Sequence, residues 1–244
     1  VFHNYDLSEN FYVKLFLSNK IKYLMRMSDG VIAGNKYLQN YAHNAGSKNI
    51  LILPTVIDID KYAKKPNNSI NNESFTIGWI GSPSTTKYLD IVKESLSKLG
   101  QVAPVTLYLV GADNEYQISL DNIKIISVPW SEIKEQEALK EFDLGIMPLY
   151  DEPWDQGKCA FKLIQYMASF LPVVASDVGM NSDIIHNSGS GFLATNSDDW
   201  FASFYKIYCD HELRKEMGKN GRKLVEKDFT IQSRLIDFEK FVSN

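Results

Sequence analysis

Short apolar runs that alternate with stretches of helical spacing constrain this chain more than any other feature. The runs are Phe75–Ile80, Val105–Val110, Ile123–Val128, Leu144–Pro148, Pro172–Ser176 and Gly191–Ala194. Successive side chains of a strand point to opposite faces, so a run apolar at successive positions must be covered on both sides. Helical periodicity is expected over Lys87–Leu99, from Ser131 as N-cap to Phe142, and over Phe161–Ala168. It returns over Asn181–His186, Asp198–Cys209, His211–Glu226 and Thr230–Val242. Strands and helices in this alternation give a parallel sheet with helices on both faces and right-handed crossovers.

The fold class that follows is α/β, a doubly wound, Rossmann-like parallel sheet preceded by a partial α/β segment. That segment reads as a helix over Glu9–Met27 capped by Ser8, with apolar Val13, Phe16, Leu17, Ile21, Leu24 and Met25, stopped by Asp29-Gly30. A buried strand between Gly30 and Gly34, a helix from Asn35 to Asn44 ended by Gly46, and a buried strand from Asn49 to Leu53 follow. Lys64–Asn72 is the most polar, most turn-prone stretch and the best boundary.

Composition narrows the function classes. A net charge of −4 argues against a general nucleic-acid binder, though not against a local basic pocket. Two distant cysteines, Cys159 and Cys209, cannot form a disulfide scaffold, and a reducing cytoplasm is expected. The histidines His3, His43, His186 and His211 are scattered, so no metal site is expected. No apolar run has the length of a membrane span and no signal peptide opens the chain, which starts at Val1 without an initiator Met. A fragment is therefore expected.

In an open parallel sheet, ligands bind outside the carboxyl ends of the strands where the strand order reverses. The loops after Ile80, Val110, Val128, Pro148 and Ser176 are the places for chemistry. After Ile80 comes Gly81-Ser82-Pro83-Ser84-Thr85-Thr86-Lys87. Gly81 permits close backbone approach, the following helix offers N–H groups, and Lys87 adds a charge, a combination that would hold a diphosphate. A glycine turn beside a surface lysine explains the same residues, and neither a Walker loop nor a dinucleotide fingerprint is present. The stretch from Met147 to Ala168 is richer. Its loop carries Asp151, Glu152 and Asp155, with Lys158 and Lys162 four apart so as to share a helix face. Gly157 is expected to free the first N–H groups of the helix, and Gln165 to meet a sugar hydroxyl. A solvated lysine face is the plainer reading. Lysines beside Cys159 would lower its pKa, yet no base partner is evident, and it reads as a packing residue.

The stretch Lys162-Leu163-Ile164-Gln165-Tyr166-Met167-Ala168-Ser169-Phe170-Leu171-Pro172-Val173-Val174-Ala175-Ser176 resembles the family 4 glycosyltransferases, retaining enzymes of the GT-B fold. Gly78–Pro83, Val178–Ile185 and Gly189–Ala194 are similar to that family in the correct order, and Asp29–Leu38 and Ile52–Asp58 to the end of its first domain. Two departures stand out. The family's Glu-x7-Glu motif falls on Gly157 and Gln165 here, as in members reading Gly-Lys-Cys-x-x-Lys-Leu-x-Gln-Tyr-Met. The first domain is represented only by its tail.

The resemblance implies three parts: residues 1–55 as the remnant of an acceptor-side domain, 56–229 as the nucleotide-sugar domain, and 230–244 as a final helix packing back on the first. It implies transfer of a sugar from a UDP- or GDP-sugar to a saccharide or lipid-linked hydroxyl, with retention, without metal or other cofactor, in bacterial polysaccharide or glycolipid synthesis. Lys87, Lys158 and Lys162 would stabilise the leaving diphosphate, with Gly81, Ser82, Gly157, Cys159, Ala160 and Phe161 around it. Gln165 would hold the ribose, and Val128, Pro129 and Trp130 the base. Asp177–Asn181 would contact the donor through backbone, or simply enter a helix. Other readings are a nucleotide-binding module without turnover, another GT-B enzyme such as a sugar-nucleotide epimerase or a phosphorylase, and an interaction scaffold. The last helices mix Lys215, Lys219, Arg222, Lys223 and Lys227 with Glu212, Glu216, Glu226 and Asp228, a solvated surface rather than a membrane face.

Overall fold

The computed structural model describes residues 10–62, 74–113, 115–116 and 118–243. The boundary expected at Lys64–Asn72 and the cap expected at Ser8 lie outside them. The described chain opens with α1 (Phe11–Leu17) and α2 (Lys20–Met27), then β1 (Val31–Ala33), α3 (Lys36–Asn44) and β2 (Ile50–Ile52). The single helix expected up to Met27 is two. The chain turns at Ser18–Asn19, and the Asn10 side chain caps α1 by accepting from Tyr12 and Val13 N–H. Small polar side chains compete with the helical backbone for its own hydrogen bonds, which is why Ser-Asn breaks the apolar period. β1 and β2 pair in parallel, and α3 packs on them. Neither strand is buried as expected: Ile32, on the face opposite Ala33, is 44% exposed.

The second sheet contains β3 (Phe75–Ile80), β4 (Val105–Val110), β5 (Ile123–Val128), β6 (Leu144–Met147), β7 (Val173–Ser176) and β8 (Gly191–Ala194). The order β5-β4-β3-β6-β7-β8, all parallel, is the doubly wound α/β fold read from the sequence. β3 is buried throughout because it has a core on each side. Phe75, Ile77 and Trp79 join Leu96 of α4 (Lys93–Gly100) and Trp200 and Phe204 of α9 (Ser197–Cys209). Ile80 joins the opposite core with Leu139 of α5 (Glu132–Glu141), Leu163 and Met167 of α7 (Phe161–Ala168), Ile184 of α8 (Met180–His186) and Val225 of α10 (His211–Asp228).

Two connections differ from expectation. The loop after β3 is a 3-10 helix from Pro83 to Val92, not a coil running to Lys87. Thr85 Oγ1 accepts from Ser82 N–H at 3.0 Å and donates to Ser82 C=O at 2.9 Å, and proline at the first helical position needs no donor. The loop after β6 contains one further turn, α6 (Pro153–Gln156), again opened by proline. The last helix, α11 (Ile231–Val242), follows Thr230, whose hydroxyl accepts from Ser233 N–H. The chain passes between the two sheets at Ile57 and again at Thr230, side by side. Ile57 N–H donates to Phe229 C=O at 2.9 Å, and Ile231 N–H to Ile57 C=O at 3.3 Å. The Phe241 ring of α11 lies where a Cβ on Gly30 would be, 2.6 Å away.

Candidate functional site

The crevice of this fold is a divergence between β3 and β6. They pair only at Ile77–Leu144 and Gly78–Gly145, whereas β3 and β4 pair along their full length. Beyond Gly78 the two strands no longer pair, and Ile80 N–H donates instead to Tyr166 Oη at 2.9 Å. Tyr166 reaches that position because Gly145 has no side chain: a Cβ there would sit 2.3 Å from the tyrosine ring. The phenol is fully buried, which pushes its pKa far up and keeps it neutral.

Three lysines converge on this opening. Lys158 Nζ lies 4.0 Å from the Tyr88 ring centroid and Lys87 Nζ 5.8 Å from the same ring, while Lys162 Nζ sits 4.6 Å from the Trp79 ring. Lys158 pairs with Asp155 at 2.7 Å, and Tyr88 Oη donates to the same carboxylate oxygen at 2.6 Å. Asp155 is sealed in the core, and its other oxygen has no hydrogen-bond partner among the described residues. Burial lowers the Lys158 pKa against the raising effect of Asp155, and the neighbouring Lys87 charge lowers it further. Lys162 has no carboxylate partner among the described residues; burial first, and the Lys158 charge second, push it down to about 7. The expected shared helix face is absent, because α7 starts at Phe161 and Ala160 adopts a left-handed φ of 51°. The turn brings Lys158 to Lys162 instead.

The backbone donors differ from the sequence reading. Gly81 N–H donates to Val110 C=O at 2.9 Å and Ser82 N–H to Thr85, so neither faces an anion. Gly81 is still required sterically, since a Cβ there would lie 2.0 Å from the Trp79 ring. Gly157 closes α6, with its N–H on Pro153 C=O at 3.3 Å, and Lys158 N–H donates to Asp155 C=O at 3.0 Å. The free donors come later: the N–H groups of Phe161, Lys162 and Leu163 have no acceptor among the described residues, the first bond of that turn being Ile164 N–H to Ala160 C=O at 3.2 Å. They form the positive end of α7 beside the lysines. Phe161 is 41% exposed there. Cys159 is half-buried and packs against Gly34, where a Cβ would meet its sulfur at 2.3 Å. Burial raises the thiol pKa, contrary to the lowering expected from its lysine neighbours.

A second cluster lies one turn along α7. Gln165 is buried, and its amide nitrogen donates to Tyr62 Oη at 3.2 Å and to the Glu135 carboxylate. The other oxygen of Glu135 accepts from Trp130 Nε1 at 2.8 Å. Trp130 is 58% exposed, at the end of the Val128-Pro129-Trp130 loop. The sequence reading overlooked Glu135, Tyr62, Tyr88 and Asn35. Asn35 caps α3 and also donates to Gln156 C=O at 3.1 Å and Lys158 C=O at 2.9 Å, pinning the lysine loop to the first sheet. Gly179, with a left-handed φ of 55°, packs against the backbone of Gln156 from the side of β7. An indole N–H able to donate and an asparagine able to cap were visible signals; their partners were not. Of the loop acids, Asp155 is engaged with Lys158 and Tyr88, Asp151 accepts from Gln156 at 2.6 Å, and Glu152 is exposed.

Among the described residues no group of three or more His, Cys, Asp or Glu side chains converges as a metal site, and no helix is long and apolar enough to cross a membrane. Residues 74–210 match the family model described as glycosyl transferases group 1. No curated protein matches the chain. Among solved structures it is similar to sucrose-phosphate synthase from Thermosynechococcus elongatus, at 16% identity and TM-score 0.73 over 98% of this chain and 62% of that one. It is similar to Anabaena HepE in complex with UDP-glucose, at 18% identity and TM-score 0.75 over 97% of this chain and 69% of that one. It is also similar to S. aureus TarM, at 19% identity and TM-score 0.70 over 93% of this chain and 47% of that one. The chain thus spans less than two thirds of the sucrose-phosphate synthase and TarM chains, and these likenesses establish a shared fold.

Proposed function

The chain belongs to the group 1 glycosyl transferases, and from that premise we propose that it is the donor side of an enzyme moving a sugar from a nucleoside diphosphate sugar to a hydroxyl, with retention at the anomeric carbon. One observation carries the reading: Lys87, Lys158 and Lys162 meet the unpaired N–H groups of α7 where β3 and β6 part. Of the three only Lys158 has a carboxylate partner among the described residues, and Lys162, enclosed against Trp79 and beside Lys158, is costly to charge unless an anion completes the cluster. A diphosphate fits that need. As the glycosidic bond breaks, charge builds on the leaving phosphate, and preorganised donors already in place stabilise it.

In this reading Gln165 takes the ribose, and Val128, Pro129 and the exposed face of Trp130 take the base. The ligands of similar structures, UDP-glucose on HepE and UDP on TarM, support a uridine nucleotide as the first to try. Within the proposed assembly residues 1–55 belong to an acceptor-side unit, 56–229 to the donor unit, and 230–244 return to the first. The exposed side chains of Phe11, Tyr12 and Phe16 fit a surface that such a unit covers. The acceptor is a saccharide or lipid-linked hydroxyl, the motif that of family 4, the setting bacterial glycan synthesis in the cytoplasm, and the lysines take the place of a metal.

One observation favours a second reading, a module that holds a nucleotide without turnover: the motif's two glutamates are Gly157 and Gln165 here. Calorimetric titration with UDP, GDP and their sugar conjugates, without metal, tests both. Lys87→Ala and Lys162→Met are the informative variants, because Lys158→Ala would strand the buried Asp155 carboxylate and confound binding with stability. Binding weakened in Lys162→Met supports the donor site. Affinity untouched by either variant would remove the lysines from it, and binding without any sugar transfer would favour the second reading.

A further inference from the structure

On the nucleotide-sugar reading of this crevice, we infer that Glu135 is a positioning residue that makes Gln165 act toward the ribose as a carboxylate would, as an acceptor only. Glu135 comes from α5 and is buried, so its charge needs donors. It has two: Trp130 Nε1 on one oxygen and the amide nitrogen of Gln165 on the other. A carboxylate only accepts, so the nitrogen of Gln165, and not its oxygen, must face Glu135. That settles the orientation of an amide whose two ends are nearly alike in shape. The second N–H is directed to Tyr62 Oη.

Both donors of Gln165 are therefore engaged inside the protein. Its carbonyl oxygen is the one polar atom of the side chain left over: it has no partner among the described residues, and it is not among the atoms sealed from solvent without one. A ribose diol offers two O–H donors, and this oxygen is an acceptor held ready for them. The same carboxylate fixes the indole of Trp130, which is more than half exposed, so one residue couples the ribose contact to the base platform. The glutamine also becomes intelligible. A glutamate at 165 would place two carboxylates in contact, which opposes ionisation of both. The negative charge resides on α5, and the acceptor faces outward from α7.

The pairing predicts that the two residues are exchangeable as a pair and not singly. In Glu135→Gln the new amide has a donor facing Gln165, which then turns its oxygen inward and its N–H groups toward the ligand. In the double variant Glu135→Gln/Gln165→Glu every group is satisfied again: the oxygen of the new glutamine accepts from Trp130, its N–H donates to the new carboxylate, and Tyr62 can donate to that carboxylate.

The experiment titrates the 244-residue chain with UDP, GDP, their 2′,3′-dideoxy forms and pyrophosphate, with thermal unfolding recorded for each variant. The unsubstituted chain should prefer the ribose form by about five- to tenfold, the worth of one such hydrogen bond. Glu135→Gln and Gln165→Glu should each reduce that preference to about twofold or less, with pyrophosphate affinity unchanged, and the double variant should restore it. A ribose preference that survives Glu135→Gln, or that the folded double variant fails to recover, overturns the inference while leaving the donor site standing. Failure of UDP and GDP alike to bind the unsubstituted chain overturns the nucleotide reading and this inference with it.

Discussion

Diphosphate binding should take up a proton, and the amount follows from Lys162. Its ammonium, enclosed against Trp79 and repelled by Lys158, has a pKa of about 7 without ligand. At pH 8 the free protein therefore carries that proton in only about one molecule in eleven. A diphosphate beside Lys162 favours the charged form and returns its pKa toward the ordinary lysine range. Binding at pH 8 should then be accompanied by uptake of about 0.9 proton, and affinity should fall by up to about tenfold per pH unit as pH rises above 7. At pH 8 the phosphates of UDP are already fully ionised and its uracil N3–H is still protonated, so the ligand adds little of its own there. The assay is calorimetric titration of UDP in buffers of different ionisation enthalpy, where the slope of observed enthalpy against buffer enthalpy counts the protons. Lys162→Arg should bind with no uptake, and Lys162→Met should bind weakly with none. Uptake below about 0.2 with binding intact, or uptake that persists in Lys162→Met, would refute the reasoning.

Without ligand the sign is opposite and separately measurable. The folded pKa of Lys162 is lowered from 10.5 to about 7, so the unfolded chain binds the extra proton between those values, and stability should rise with pH across that window and be flat for this group below it. Denaturant melts at pH 7 and 9, compared with Lys162→Met, should show a smaller rise in the variant. Tyr166→Phe leaves the buried Ile80 N–H without its acceptor and should cost about 1–3 kcal/mol in urea unfolding; a loss under about 0.5 kcal/mol would mean that another acceptor takes its place. Asn35→Ala removes the cap of α3 and both ties to the lysine loop. It should lower stability by about 1 kcal/mol and weaken UDP more than it weakens the fold, a difference seen by comparing titration with melting. Gly34→Ala drives a methyl against Cys159 Sγ and should be rescued in part by Cys159→Ala, read from the two melting temperatures and their double-mutant coupling.

What was legible in the sequence is what local physics controls. β3, β4, β5, β8 and α7 fall where their apolar runs begin and end, although β5, at the sheet edge, is not buried on both faces as expected and leaves Lys124 and Ser127 exposed. The cap at Ser131 was equally plain, as was the start of a helix at Asn35, though not its ties to the lysine loop. The turn at Ser18–Asn19 went unseen because the apolar period continues through it, and Ser82-Pro83 was read as coil although it carries a helix-start signature. The lysines were found, but not the reason they meet: a φ of 51° at Ala160 is a local choice with no sequence signal, since alanine seldom adopts it. Glu135 and Gln165 are thirty residues apart with no shared spacing. Only the packing of α5 beside α7 makes them a pair, and the strand order sets that packing.

The parting of β3 and β6 is a feature of the main chain. It is held open by one hydroxyl beneath it and by the turn of the sheet order, not by the side chains that line it. The hole and its contents can therefore change independently. Exchanging a lining glutamate for a glycine or a glutamine alters which molecule rests there without closing the space, so a lineage can lose or trade its chemistry while the vessel keeps its shape. The converse holds for Tyr166 and Gly145, which lie beneath the opening: a change there reshapes the vessel and disturbs every occupant at once.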